Sequence, residues 1–397
     1  MQFNKLSNQR ILSIDALRGI TIFVMIFVNE LAGMRDIPAW MKHMHADDDA
    51  MSFVDVVFPA FLFIVGMSIP FAINSRLAKG ETFLNLQKHI LLRTAALLIL
   101  GFFLVNAEDD YNEQLMGISI NLWLLIFFAA VILTWKVYTS TNKIFVYSLR
   151  AVGLAALFFL AFIYRKENGE YISPRWWGIL GLIGWAYLYA CIFYQLFKGN
   201  KLLLILLIAF CSAWYGAAHT TYVLQNAWLS FIPSQSGNAA HTSIVLCGIV
   251  VTLIFFDEQK SFSIQTRFIN AFLFAALLFV AGYFLRPYYQ ISKIHATPTW
   301  CLYSAAICTL LFAFLYWIID IKKMYGWTNF FKPAAANPLL TYIIPDFIYA
   351  LTGLFGITLW PDSLCYGLPA IFWCIIYAVA VLYITRLLQK INLRLHL

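Results

Sequence analysis

The chain has 397 residues, of which 62% are hydrophobic and 12% charged, with a mean hydropathy of +0.77. Soluble chains carry about 25% charged residues. A water-soluble enzyme is therefore excluded, and the apolar total suffices for about twelve membrane helices of about 20 residues each. The net charge of +8 is accompanied by no nucleic-acid motif or basic aromatic surface, so it reads as Lys and Arg holding loops on one side of a membrane.

Hydropathy predicts an all-α, polytopic transmembrane helix bundle with about twelve spans. They fall at residues 12–31, 52–74, 87–106, 116–135, 144–164, 176–197, 201–219, 240–256, 268–285, 299–319, 338–356 and 367–387. Loops are mostly short and no internal repeat is visible, so 1–397 reads as one transmembrane domain. The first span contains Asp15 and Arg18 and has no small-residue cleavage site, so it reads as a membrane helix and not a signal peptide. With the N-terminus inside, 17 of the 27 Lys and Arg lie on inside loops, among them Lys5 and Lys260, and 7 lie outside. That split predicts both termini in the cytoplasm. The seven Cys lie in or beside apolar spans without a CxxC pair and read as packing residues, with no metal expected.

Ionisable residues inside a bilayer are costly, so each is a candidate for function. The first span holds Asp15, Arg18, Asn29 and Glu30. Asp15 and Arg18 are three residues apart and share a helix face, as a neutralising pair or as an anchor for an anionic ligand. Residues 40–55, WMKHMHADDDAMSFVD, then supply His43, His45, the run Asp47–Asp48–Asp49, and Asp55 four residues before Pro59. A histidine is the natural general base near neutral pH. The acidic run could collect a cationic substrate, or it is a solvated loop. Further along stand Arg93 in the third span, Asn121 in the fourth and Asp346 in the eleventh. Asn337 before Pro338 reads as a helix N-cap. His219 and His241 flank a polar outside loop at 220–240, an exposed turn or a sugar-binding surface. His89 and His396 read as surface residues. No nucleophile elbow, P-loop or GxGxxG occurs.

The run RILSIDALRGITIFVMIFVNE, a downstream His-Ala pair, and FVDVVFPAFLFIVGMSI resemble the heparan-alpha-glucosaminide N-acetyltransferase-like membrane acyltransferases. The run looks similar to the bacterial members found near amino-sugar utilisation genes. The residues that carry the resemblance are Arg10, Ser13, Asp15, Arg18, Gly19, Val28, Asn29, His45, Ala46, Asp55, Val57, Phe58, Pro59 and Gly66. It covers about the first 75 residues closely, with patches at Arg93–Asn106 and Phe331–Asn337. Three positions differ: Asp47–Asp48–Asp49 replaces the usual W-N-G, a Gln-Arg pair is missing from the fourth span, and Pro345–Asp346 stands where a late His is usual.

The resemblance implies acetyl transfer from cytosolic acetyl-CoA, as co-substrate, to a glucosamine-type amine on the far side of a bacterial cytoplasmic (inner) membrane. It implies catalytic roles for His45 and Asn29, with Asp55 fixing the His tautomer or pairing with Asn29. It also implies a homodimer. By charge and side, Arg18, Arg76, Lys79, Lys88 and Arg93 are the coenzyme A candidates, with Asp15 beside Arg18. Asp47, Asp48, Asp49, His241 and Asp346 are the acceptor candidates. The alternative is a proton-coupled sugar or amino-sugar transporter using Asp55, Arg93 and Asp346. The missing internal repeat, and the concentration of polar residues in the first two helices, speak against it.

Overall fold

The computed structural model describes residue 6 and residues 10–258 and 262–397; Lys5 and Lys260 lie outside the described residues. Among the described residues the chain is helical, apart from isolated bridges, and twelve helices have sixteen or more residues. They are α1 (Leu12–Ala32), α2 (Val54–Ala78), α3 (Phe83–Asn106), α4 (Ile120–Trp135), α5 (Lys143–Ile163), α6 (Gly178–Leu196), α7 (Lys201–Ala218), α8 (Ser236–Phe256), α9 (Ile264–Tyr289), α10 (Pro298–Tyr316), α11 (Pro338–Leu354) and α12 (Gly367–Lys390). Among the described residues, ten helical segments are long and apolar enough to cross a membrane, and α4 and α11 are shorter apolar helices. The protein is a polytopic membrane helix bundle.

Polar residues at the span edges start the helices. Asn142, Asn200, Ser263 and Thr297 each accept a hydrogen bond from a backbone N–H in the first turn of α5, α7, α9 and α10. These bonds satisfy donors that a helix N-terminus leaves without partners. Thr297 is followed by Pro298, whose missing N–H costs nothing at that position. Asn337 departs from the N-cap expectation. It precedes α11, yet its side chain caps no helical N–H. Its amide donates instead to the Leu393 carbonyl (3.1 Å), and its oxygen accepts from the Leu395 N–H (3.2 Å). The 220–240 segment is largely helical and not an open loop: Thr220 caps Thr221–Gln225, and α8 starts at Ser236.

The chain packs as two compact units. The first comprises Met1–Thr21, Pro38–Leu97 and Leu182–Asn329. Its axis is α8, buried at every position from Ala240 to Phe256. A helix apolar on all sides belongs in such a centre. Two glycines let α2 meet α8 backbone to backbone. A Cβ on Gly66 would lie 1.9 Å from the Val245 carbonyl oxygen, and one on Gly248 would lie 2.0 Å from that of Phe63. Small residues at helix crossings are the usual device for close packing in membranes.

The second unit comprises Ile22–Ile37, Leu98–Gly181 and Phe330–Leu397. Phe103, Trp123 and Phe127 stack in its core, with Phe103 5.4 Å from Trp123 and 5.2 Å from Phe127, centroid to centroid. The Trp123 indole donates to the Leu160 carbonyl (3.1 Å), so the buried polar atom is satisfied. The Asn121 side chain packs against Gly353, joining α4 to α11.

Candidate functional site

In the first unit, Asp55 organises the segment that leads into α2. Its side chain is 2% exposed. One carboxylate oxygen accepts from His43 Nδ1 at 2.7 Å. The other accepts from the Ser52 N–H (3.0 Å), the Ser52 hydroxyl (3.3 Å) and the Met44 N–H (3.3 Å). A buried carboxylate needs such donors, and they make it an anchor. The Asp55 carbonyl is anchored as well. Its α-helical partner is residue 59, and Pro59 has no N–H to donate. The Trp300 indole of α10 supplies the missing donor at 3.0 Å. A proline in α2 and a tryptophan 241 positions later thus complete one hydrogen bond.

The two histidines of this segment have different fates. His43 donates its Nδ1–H to Asp55, and the Lys293 ammonium lies against its ring, 3.2 Å from Nδ1 and 3.1 Å from Nε2. Burial pushes Lys293 below the ordinary lysine range, opposed by the Asp55 carboxylate. His45 is exposed, and its ring makes no hydrogen bond or ion pair among the described residues. Its backbone N–H donates to Asp48 at 2.9 Å, so only the main chain is tied down. The expectation that Asp55 fixes the His45 tautomer is corrected: Asp55 holds His43.

The acidic run divides in the same way. Asp48 closes the turn at His45. Asp49 is a latch: it accepts from Arg286 Nε (2.9 Å) and the Ile291 N–H (2.8 Å), while Arg286 also reaches its carbonyl. Asp47 alone is fully exposed, 3.8 Å from His295. Nearby, Ser292 donates to the Ala46 carbonyl at 2.7 Å. His241 is buried in α8, its ring against Phe58 (5.4 Å) and Trp300 (6.2 Å).

A second set of charges lies on α1, α2 and α3 of this unit. Asp15 pairs with Arg18 (3.2 Å) and Arg10 (2.7 Å), and Arg18 also donates to Ser68 (3.0 Å). The expected neutralising pair is present. Arg76, read from sequence as a loop residue, lies in the last turn of α2, paired with Glu81 at 2.9 Å and 3.1 Å from His89. His89 is half-buried beside it and is no simple surface residue. Lys79 and Lys88 are exposed. Arg93 differs from all of these. It has no carboxylate partner among the described residues, its Nε is buried without a hydrogen bond, and its guanidinium lies 4.8 Å from the centre of the Tyr187 ring.

The family described as Domain of unknown function (DUF5009) matches residues 10–237, more than half of the chain. The chain belongs to the DUF5009 family. It is also 34% identical over 97 residues to the heparan-alpha-glucosaminide N-acetyltransferase of Homo sapiens, covering 24% of this chain and 14% of that protein. The Mus musculus protein of the same name is 32% identical over 100 residues, covering 25% of the chain and 14% of the relative. The chain thus matches about a seventh of the length of these curated relatives.

The DUF5009 match contains Asn29, His45, Asp55 and Arg93 but stops before Lys293, Trp300 and Asp346. Asn29 and Glu30 of α1 belong to the second unit, where they line a cavity of about 390 Å³ with Tyr342 and Asp346 of α11. Asn29 is exposed there although it lies inside a 21-residue apolar helix. Tyr349 donates to the Glu30 carboxylate, and the Trp360 indole donates to the Tyr349 hydroxyl at 2.8 Å. Sequence reasoning noted Glu30 as an intramembrane charge and gave it no role; it passed over Lys293, Trp300, Tyr349 and Trp360. No spacing signal links them, because each meets its partner more than 240 positions along the chain or sits on a separate helix or loop. Among the described residues, no group of three or more His, Cys, Asp or Glu is placed to hold a metal ion.

Proposed function

We propose that this member of the DUF5009 family is a transmembrane acetyltransferase. It moves an acetyl group from cytosolic acetyl-CoA to the amine of a glucosamine-type sugar on the other side of a bacterial inner membrane. The observation that carries the reading is the contrast between two neighbouring histidines, of which only one is held by the buried Asp55 carboxylate. His43 is locked by Asp55 and Lys293, and His45 is presented with a free ring. The partial likeness to the N-acetyltransferases supports the same reaction class.

In this reading His45 is the general base. It accepts a proton from the acceptor amine as the nitrogen forms its bond to the thioester carbon. The carbon–sulfur bond then breaks, and the proton held by His45 returns to the departing thiolate. Asp55 acts through the backbone, by holding the segment that carries His45. Arg93 fits a phosphate of the coenzyme, because its buried Nε lacks a partner and guanidinium pairs well with phosphate. Arg18, Arg76, Lys79 and Lys88 add positive charge in the same unit. Arg18 and Arg76 already hold carboxylates, so Arg93 carries the larger part.

The test is acetyl transfer from labelled acetyl-CoA to glucosamine in proteoliposomes, with wild type and His45→Ala. The proposal expects labelled N-acetylglucosamine from wild type and at least a hundredfold slower formation by His45→Ala. Undiminished transfer by that variant, correctly folded, would overturn the assignment of His45.

A further inference from the structure

We propose that the cavity between α1 and α11 in the second unit is a binding site for a small, hydroxylated organic cation, with Glu30 and Asp346 as its charge partners. The amino-sugar class follows from the reading above, on which this assignment of the ligand rests. The volume of about 390 Å³ lies within the about 300–1,000 Å³ usual for small-molecule sites. Two carboxylates line the cavity, and no Lys, Arg or His is among the residues that form it. Glu30 is held on one side by the Tyr349 hydroxyl, itself fixed by Trp360. Asp346 has no hydrogen bond or ion pair among the described residues. Carboxylates inside a membrane bundle are neutralised by a partner, and among the described residues no cation lines this cavity. A ligand ammonium is the complementary group.

The rest of the lining suits a sugar. The Trp360 and Tyr349 rings give flat apolar faces beside polar groups. An aromatic wall with a few placed hydrogen-bonding groups is the common composition of ligand pockets. The exposed Asn29 amide offers both donor and acceptor atoms to hydroxyls. Asn29 and Asp346 enter from sequence expectation. Glu30, noted in the sequence as an intramembrane charge, gains its role from the geometry, and Tyr349 and Trp360 are assigned by the geometry alone.

The experiment is calorimetric titration of the purified full chain with glucosamine, N-acetylglucosamine and glucose, without acetyl-CoA. The variants are Glu30→Gln, Asp346→Asn and Trp360→Phe, each checked for wild-type thermal unfolding. The expected result is binding of glucosamine, at least tenfold weaker binding of the two neutral sugars, and at least tenfold loss of glucosamine affinity in Glu30→Gln and Asp346→Asn. Trp360→Phe keeps the ring and loses the hydrogen bond to Tyr349, so a smaller loss is expected. Equal affinity for glucosamine and glucose overturns the proposal, as does glucosamine binding untouched by both carboxylate variants. The two readings fail separately. Glucosamine binding without any transfer removes the acetyltransferase reading and keeps the site. Transfer with an unchanged glucosamine KM in both carboxylate variants removes the site and keeps the enzyme.

Discussion

The segment before α2 and the cavity of the second unit treat their carboxylates in opposite ways. In the first, Asp55 receives four hydrogen bonds, Asp49 an arginine and Asp48 a backbone N–H. Nearly every charge is answered within the protein, and the result is a rigid stretch from which His45 projects with its ring free. In the second, two carboxylates line a cavity with no cation of the protein among its residues. Internal pairing builds a platform, whereas unpaired charge invites something from outside. The presence of a carboxylate in an apolar helix does not distinguish these cases; its partners do.

The largest expected effect comes from separating the two histidines. His45→Ala should slow acetyl transfer by about 10²–10⁴-fold, the usual range for a general base, and leave thermal unfolding unchanged. His43→Gln should do the reverse, lowering the unfolding temperature with a smaller loss of rate. Equal kinetic losses for the two would erase the distinction between platform and working group. Asp55→Asn comes next. It weakens hydrogen bonds to a charged acceptor, each worth about 1.5–3 kcal/mol, so unfolding in detergent should move to lower temperature and transfer should fall with it.

Gly248→Ala tests the close approach beneath the platform. A Cβ there meets the Phe63 carbonyl at 2.0 Å, and the overpacking should cost about 1–3 kcal/mol, read as a lower unfolding temperature. Trp300→Phe removes the donor that replaces the N–H absent at Pro59. It should cost about 1 kcal/mol by the same measurement, and more if the Asp55 carbonyl stays buried and unpaired. The smallest effect concerns Lys293. Because burial favours its neutral form, an amine-reactive label should modify it at a lower pH than a free lysine, measured by mass spectrometry of the labelled peptide.

Much of the fold is readable along the chain because membrane helices announce themselves locally. Each of α1 to α12 rests on a continuous apolar run, and the polar residues Asn142, Asn200 and Thr297 mark where helices begin. The His43–Asp55 segment was also visible, since its residues are close in sequence. Spacing does not show which imidazole turns toward Asp55, and the family resemblance points to His45. That choice is set by packing, with Lys293 closing on His43 from 250 positions away. The same holds for Glu30 and Tyr349, 319 positions apart. Asn337 shows the converse: its local pattern suited an N-cap, and tertiary contacts with Leu393 and Leu395 took its side chain.

The central claim is that an acetyl group crosses the membrane through this protein. Proteoliposomes loaded with glucosamine, and given labelled acetyl-CoA only on the outside, test it directly. The account predicts labelled N-acetylglucosamine trapped in the lumen, formed by wild type and lost in His45→Ala. Labelled product appearing only when both substrates share one compartment, or no product from folded protein, would contradict it.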